Sequence, residues 1–187
     1  MKRCYKLAAN TINYRYTKTE MEKLLKSLTV LIDTREKKNE HIKKYLSGQG
    51  INYKSKKLDF GDYSLMLPEN TELGIMRDIY FNNDGIAIER KSSLEELSGN
   101  MTKERARFEN ELIRGSNSKM ILLIEEGAGW QKIINGYYDT QYKPQAFLAG
   151  LLTYKNRYDL RVEFISRELT GALIRYELHY YLREFLK

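Results

Sequence analysis

The sequence is poor in the residues on which crosslinked folds and most small zinc sites depend. Of 187 residues one is a cysteine, Cys4, and two are histidines, His41 and His179. A single cysteine excludes an intramolecular disulfide and a thiolate zinc cluster, and two histidines are too few for most histidine-based zinc or nuclease sites. We therefore expect any metal bound by this chain to be held mainly by carboxylates.

Long apolar runs are also missing. No stretch approaches the ~20 consecutive apolar residues of a membrane-spanning helix. The N-terminal sequence MKRCYKLAAN contains no apolar segment of the kind found in secretory signals. The sequence accordingly predicts a cytoplasmic protein without membrane contact.

Positive charge, by contrast, is in excess. Lysine and arginine number 32 against 25 aspartates and glutamates, which gives a formal net charge of +7. This excess suits a polyanionic partner, because lysine and arginine displace counterions from phosphates. The charge alone is a weak indication of nucleic-acid binding, and the 42% hydrophobic content indicates an ordinary folded core.

Apolar runs with strand character alternate along the chain with amphipathic helical segments. The strand candidates are TVLID, two extended segments in INYKSKKLDFGDYSLML, GIAIERK, KMILLIEE and RVEFIS. The helix candidates are TKTEMEKLLKS with Thr19 and Glu22 as a capping box, EHIKKYLSGQG, TKERARFENELIRG with Phe108, Leu112 and Ile113 on one side, PQAFLAGLLTYKNRY, and LTGALIRYELHYYLREFLK. The alternation predicts an α/β fold with a mixed central sheet flanked by helices on both faces.

The length predicts a single domain with a substantial core. Residues 1–28 are interpreted as a basic N-terminal arm and a short helix, and residues 29–187 as the domain itself. Pro68 to Gly85 is expected to be a long connection between two strands, with the turn signal NNDG at its end.

Charged residues end the apolar run IAIERK. The strand period of two places Glu89 and Lys91 on one face and Arg90 on the other. If GDYSLML pairs antiparallel with this strand, the start of one lies beside the end of the other, and Asp62 approaches Glu89. Asp33 and Glu36, which follow TVLID, are two further carboxylates near this edge.

Such a cluster of carboxylates favours a divalent cation, because like charges within ~4–6 Å raise one another's pKa and a cation removes the repulsion. All-oxygen ligands select Mg²⁺ or Mn²⁺ over zinc. Lys91 fits the same chemistry as a point charge against a phosphate. The pattern indicates phosphodiester hydrolysis. An isolated Glu-x-Lys is more often part of a solvated surface, and the apolar strands around this one are what favour a site.

These residues resemble the nuclease domain of the XPF-type endonucleases. The resemblance is carried by LIDTRE, LDFGDYSL and IERKSSLEEL, and it continues through RARFENEL and KMILLIEE. It implies a restriction-endonuclease-like fold, Mg²⁺ or Mn²⁺ as cofactor and DNA as partner. It also implies catalytic roles for Asp62, Glu89, Lys91, Arg90, Asp33 and Glu36, metal ligation by Asp62, Glu89 and Asp33, and DNA contacts by Arg35, Arg107, Lys103 and Arg105.

The sequence departs from the family pattern in three places. Glu95 stands where the family signature has an aspartate. A helix-capping or surface role fits it as well as a ligand role does, because Ser92 or Ser93 can cap a helix with Glu95 or Glu96. The gap between Asp62 and Glu89 is long. From the length we expect no tandem helix-hairpin-helix domain of the kind that often follows this nuclease.

Three hypotheses follow for function. The first is a Mg²⁺-dependent DNA endonuclease acting on branched, flapped or forked DNA in repair, recombination or replication, in a compact form similar to the nucleases of bacteria, phages or other mobile elements. The second is a DNA-binding scaffold with a catalytically silent nuclease fold. The third is a sequence-specific restriction enzyme, which the GDY and ERK motifs disfavour. The resemblance also implies a homodimer through the C-terminal helix region, although most of that helix's apolar stripe is expected to be core.

Overall fold

The computed structural model describes residues 16–187, which contain seven strands and seven α-helices. The strands are β1 (Thr29–Ile32), β2 (Asn52–Ser55), β3 (Tyr63–Leu67), β4 (Ile79–Tyr80), β5 (Ile86–Lys91), β6 (Lys119–Ile124) and β7 (Arg161–Phe164). The helices are α1 (Lys18–Ser27), α2 (Glu40–Gly48), α3 (Leu94–Met101), α4 (Arg105–Arg114), α5 (Gly129–Asn135), α6 (Pro144–Arg157) and α7 (Thr170–Phe185). Most of the predicted N-terminal arm, residues 1–15, lies outside the described residues.

The strands form one mixed sheet in the order β2-β1-β3-β5-β6-β7, with β4 paired to β3. Strands β1 and β2 are parallel, as are β5, β6 and β7, whereas β3 is antiparallel to both β1 and β5. The start of β3 therefore meets the ends of β1 and β5. The predicted antiparallel pairing is confirmed, with Tyr63 opposite Ile88.

Helices cover the two faces of the sheet unequally. On one face α1, α2 and α7 pack against the inward residues of β1, β3, β5 and β6. On the other face α3 to α6 pack against β5, β6 and β7. On that second face β1 and β3 contribute Leu31 and Met66 to a small separate cluster, which contains one loop residue, Leu58, and no helix residue. The second face is thus helix-covered only on the side of β5 to β7.

Two details of the predicted helices are corrected. The capping box of α1 is formed by Thr17 and Glu20, two residues earlier than the predicted pair Thr19 and Glu22. The earlier start places Tyr16 and Met21 at the positions of a hydrophobic staple, and both pack against the core. In α4, Ile113 is 54% exposed instead of sharing the buried side of the helix.

The connection from Pro68 to Gly85 is more ordered than expected. It contains a short 3₁₀ turn at Thr71–Leu73 and the two-residue strand β4, which pairs antiparallel with the end of β3. Tyr80 thereby lies opposite Met66. This insertion consequently extends the sheet instead of forming a loop alone.

The C-terminal helix α7 is part of the core. Its apolar stripe, including Ile174, Leu178 and Leu182, is buried in the same cluster as β1, β3 and α2. None of the helices between residues 16 and 187 has the length and apolar content needed to cross a membrane. The predicted intramolecular role of the stripe is confirmed, and the homodimer stays a prediction.

Candidate active site

Asp62 lies at the edge where β3 begins and β1 and β5 end. Gly61, with φ +70°, turns the chain into the strand, and a side chain there would meet the Ala87 Cβ at 3.1 Å. The Asp62 amide donates to the Ile88 carbonyl at 2.8 Å, and the Asp33 amide donates to the Asp62 carbonyl at 2.8 Å. Both neighbouring strands thus fix the backbone that carries this carboxylate.

Glu89 and Lys91 project from β5 on the same face as Asp62. Both are buried, with 4% and 6% of their surface exposed, and Lys91 Nζ lies 2.6 Å from Glu89 Oε1. The second oxygen, Glu89 Oε2, is buried without a hydrogen-bond partner among the described residues. Lys91 Nζ lies 5.2 Å from the centre of the Phe108 ring of α4. A buried carboxylate oxygen is thus left available at this face.

The electrostatics of this cluster are unfavourable for charged carboxylates. Burial raises the pKa of Asp62 to about 7, against the lowering effect of the hydrogen bond from the Arg90 amide, and the charge of Glu36 adds to the rise. Burial and the charge of Asp62 raise the pKa of Glu89 well above its usual range. Burial opposes the charge of Lys91, yet Glu89 holds the pKa of Lys91 above its ordinary value. The carboxylates of this cluster outnumber its one lysine.

Helix α4 brings one carboxylate to this face that the sequence reasoning missed. Glu111 Oε1 accepts a hydrogen bond from the Gly61 amide at 3.3 Å, and the charge of Glu111 contributes to the raised pKa values of Asp62 and Glu89. The sequence signal that could have identified Glu111 was its spacing from Phe108. Glu111 stands one turn after Phe108, the residue of α4 that contacts Lys91, so both side chains lie on the same side of the helix.

Asp33 reaches the same edge but both of its oxygens are engaged. Oδ1 accepts from the backbone and side chain of Arg35 at 2.7 Å each, and Oδ2 accepts from Arg35 at 3.0 Å and from the Leu58 amide at 2.7 Å. Although burial opposes its charge, these hydrogen bonds hold the pKa of Asp33 below its usual range. The geometry makes Asp33 a clamp between the loop after β1 and the loop before β3.

Arg90 points through the sheet to the opposite face, as the strand period predicts. Its backbone amide donates to Asp62 Oδ2 at 2.8 Å, whereas its guanidinium contacts Glu36 at 2.9 Å and Glu125 at 3.0 Å. Glu125 in turn contacts His41 of α2 at 2.7 Å. Glu36 therefore belongs to this network and not to the face of Glu89.

Glu125 and His41 were not predicted as site residues. Glu125 directly follows β6, and its amide donates to the Lys91 carbonyl at 2.9 Å. An acid immediately after a buried strand that runs parallel to β5 was the available signal, because parallel strands end at the same edge of a sheet. His41 carried no such signal, since its contact spans 84 residues of sequence.

The acids that open helix α3 are distributed between two roles. Ser93 is the N-cap of α3, and Glu96 accepts from the backbone and hydroxyl of Ser92 at 2.9 and 2.6 Å. Glu95 is exposed and accepts from the Asp139 amide at 3.1 Å. The capping role thus belongs to Glu96, and Glu95 ties α3 to the loop before α6.

The predicted DNA-binding residues are exposed. Arg35 has 57% of its side chain exposed but is bonded to Asp33. On α4, Arg105 contacts Glu109 and Arg107 contacts Glu104, each at 3.2 Å. Lys103 is exposed just before the helix. The three arginines are each already partnered by a carboxylate.

The donor set fits a hard divalent cation. Asp62 and Glu89 offer carboxylate oxygens on one face, and one of these, Glu89 Oε2, is buried without a partner. Within residues 16–187 no three side chains of histidine, cysteine, aspartate or glutamate lie close enough to hold an ion by themselves. A cation here would complete its shell with water and phosphate oxygens, as Mg²⁺ usually does.

A groove of about 500 Å³ lies elsewhere, at the opposite end of the sheet. It is lined by Lys119 and Arg161, the first residues of β6 and β7, and by side chains of α7. Arg161 is bound to Glu163 and Glu177. The groove contains none of the carboxylates at the ends of β1 and β5.

Comparisons with known proteins match the fold of this chain and the region that contains the candidate active site. The ERCC4 domain model matches residues 32–180. The structure of XPF from Aeropyrum pernix is similar, with a TM-score of 0.56 and 17% identity, and covers 81% of this chain and 60% of that one. XPF from Aeropyrum pernix in complex with DNA gives a TM-score of 0.57 and 16% identity, over 83% of this chain and 65% of that one.

This chain spans less than two thirds of the length of either XPF structure. No curated protein sequence matches it. The predicted α/β, restriction-endonuclease-like fold class is confirmed. The family model extends over most of the chain and includes Asp62, Glu89, Arg90 and Lys91. The chain therefore belongs to the ERCC4 domain family and forms an XPF-type nuclease domain.

Proposed function

We propose that this protein is a divalent-metal-dependent endonuclease that hydrolyses phosphodiester bonds in branched, flapped or forked DNA. The observation that carries the proposal is the buried pair Glu89 and Lys91 beside Asp62, with Glu89 Oε2 left without a partner. Family membership and the structural similarity to an XPF protein in complex with DNA support it.

The metal site would consist of Asp62 and Glu89. A Mg²⁺ or Mn²⁺ ion at these carboxylates would polarise a phosphoryl oxygen and lower the pKa of a water molecule. Such an ion would stabilise the site. Burial raises the pKa of both carboxyl groups, and a nearby cation would lower these pKa values again.

Lys91 is the group of this chain best placed to act on the phosphate. Glu89 keeps its ammonium charged in spite of burial, and the Phe108 ring borders it on the other side. A charged lysine held in this way would neutralise the developing charge on the scissile phosphate without having to reorganise. We assign it that role.

Asp33 and Glu36 would act by positioning. Asp33 joins the loop after β1 to the Leu58 amide, four residues before Asp62, and Glu36 holds the guanidinium of Arg90, whose amide bonds Asp62. Arg90 would likewise act through the backbone it carries. The catalytic centre proper is thus Asp62, Glu89 and Lys91.

The test combines cleavage with metal binding. Labelled flap, fork, Holliday-junction and linear duplex DNA are incubated with the wild-type chain in Mg²⁺ and in a chelator. We expect cleavage of at least one branched substrate in Mg²⁺ and none with chelator. In the absence of DNA, Mn²⁺ at a hundredfold excess over its Kd should stabilise the fold by about 2.7 kcal/mol, and Glu89→Gln should remove this stabilisation.

The controls separate the outcomes. Glu22→Gln, which neutralises an exposed carboxylate of α1, should change neither cleavage nor the response to Mn²⁺. Metal binding without cleavage of any substrate would favour the silent scaffold. Cleavage undiminished in Glu89→Gln would overturn the site assignment.

A further inference from the structure

Two lysines beside the candidate active site converge on one aromatic ring. Lys54 Nζ of β2 lies 5.2 Å from the centre of the Tyr80 ring, and Lys56 Nζ lies 4.7 Å from it. Lys54 Nζ also lies 2.8 Å from Met66 Sδ and 3.4 Å from the Tyr80 hydroxyl. Both ammonium groups are thus held in place by soft or neutral partners.

Neither lysine has a counter-ion among residues 16–187. Between residues 16 and 187 no carboxylate forms an ion pair with Lys54 or Lys56, whereas Arg35, Arg105 and Arg107 each pair with one. A nearby acid, Asp78, accepts from the Glu69 amide at 3.0 Å and from the Tyr80 hydroxyl at 3.4 Å. Two fixed cations close together repel each other, so an anion between them would be stabilising.

The lysines lie on the same face of the sheet as the carboxylates. Lys54 is opposite Leu31, which is opposite Ser64, two residues after Asp62. Two strand spacings of ~4.8 Å and two residues of ~3.3 Å put the Lys54 and Asp62 Cα atoms about 12 Å apart. A bound strand spans this distance within a few nucleotides.

No helix obstructs this path in the part of the chain that the structure describes. The base of this surface is the small cluster of Leu31, Leu58 and Met66, and the apolar residues of α3 to α6 pack against β5 to β7. Helix α4 reaches the end of the path near Asp62, where Glu111 bonds the Gly61 amide. Tyr80 is 44% exposed, and Lys56 is also exposed. The surface is therefore an open, positively charged shelf that ends at the catalytic carboxylates.

We propose that Lys54, Lys56 and Tyr80 bind the phosphate backbone of the substrate DNA beside the cleavage site. The inference rests on the proposed nuclease function. The lysines supply charge and Tyr80 keeps them in position. Charge complementarity selects this occupant, because two unpaired cations favour a polyanion over an apolar partner.

The test is DNA affinity under conditions without cleavage. Fluorescence anisotropy of a labelled DNA fork is measured in chelator over a range of salt concentrations. We expect Lys54→Ala combined with Lys56→Ala to weaken binding fivefold or more and to lower the slope of log K against log salt by about 1.8, which is ~0.9 per phosphate contact. Lys54→Gln with Lys56→Gln should do the same and checks that folding is not the cause.

The matched control is Lys43→Ala with Lys44→Ala. These lysines lie on α2, on the opposite face of the sheet, and form no ion pair with a described residue. They should weaken binding less than twofold. Equal losses for both pairs would show a general charge effect and overturn the proposal, as would an unchanged affinity for the Lys54 and Lys56 variants.

Tyrosine variants separate phosphate binding from base stacking. Tyr80→Phe keeps the ring that holds the lysines and should bind DNA as wild type, whereas Tyr80→Ala should lower both affinity and salt slope. A loss of affinity with an unchanged slope would show base stacking instead. If the double lysine variants bind and cleave DNA like the wild type, these lysines do not bind the substrate, and the proposed nuclease function is unaffected.

Discussion

The two faces of the end of β5 hold their charged groups in different ways. On one face Asp62, Glu89 and Lys91 leave a buried carboxylate oxygen without a partner. On the other face the Arg90 guanidinium lies between Glu36 and Glu125, and Glu125 also contacts His41. The first face is incomplete and needs a further cation. On the second, paired face both carboxylates contact Arg90, although Arg90 Nε and His41 Nδ1 are buried without hydrogen-bond partners among the described residues. We therefore expect function to depend on the first face and stability on the second.

Removing a carboxylate charge from the incomplete face should have the largest effect of the substitutions considered. We expect that effect on cleavage activity and not on stability. We expect Asp62→Asn to reduce the rate of Mg²⁺-dependent cleavage at least a thousandfold, about 4 kcal/mol of transition-state stabilisation. Its thermal midpoint in chelator should not fall, because asparagine removes a buried charge and still accepts from the Arg90 amide. A large drop in the midpoint would mean that the carboxylate is structural.

Breaking the paired face should instead cost stability. Arg90→Met leaves Glu36 and Glu125 without their shared cation in a buried setting, and we expect a loss of about 3 kcal/mol in the free energy of unfolding. Urea denaturation followed by circular dichroism measures it. If the variant unfolds at the wild-type urea concentration but loses cleavage, Arg90 acts directly on the DNA and the division between faces is wrong.

A smaller loss is expected at the far end of the same network. His41→Ala removes a contact of 2.7 Å to the buried Glu125 and should cost about 1–2 kcal/mol in unfolding free energy, because Glu125 keeps Arg90 as a partner. Cleavage by the folded protein should persist, which single-turnover assays below the thermal midpoint can establish. A loss of cleavage at unchanged stability would show that His41 acts in cleavage and not only in the stability of the fold.

Local periodicity and strand pairing predicted the incomplete face from sequence. The period of two along β5 places Glu89 and Lys91 together and sends Arg90 away, and one antiparallel pairing brings Asp62 to them. The paired face was not predictable in this way. It depends on how α2 and β6 are placed in three dimensions, and His41 and Glu125 are 84 residues apart.

The same limit applies to Glu111 and to the capping box of α1. Glu111 shares its side of α4 with Phe108, but its contact with Gly61 joins residues 50 apart in the sequence. For α1, the pairs Thr17 with Glu20 and Thr19 with Glu22 are equivalent in sequence, and packing of Tyr16 against the core decides between them.

A substitution of Glu95 should have the smallest effect on cleavage and stability. It tests whether the incomplete face extends to helix α3. The resemblance puts Glu95 at the last position of the family signature, but its carboxylate is exposed and bonded to the Asp139 amide. Glu95→Gln can keep that hydrogen bond, so we expect cleavage within threefold of wild type and a change in unfolding free energy of about 0.5 kcal/mol or less. Glu96→Gln is the comparison variant, since it neutralises the neighbouring acid, which caps α3 through Ser92 and whose charge also acts on Lys91. A loss of cleavage or of Mn²⁺ binding in Glu95→Gln, but not in Glu96→Gln, would extend the metal site to α3 and would require this helix to move toward Asp62 when the ion binds.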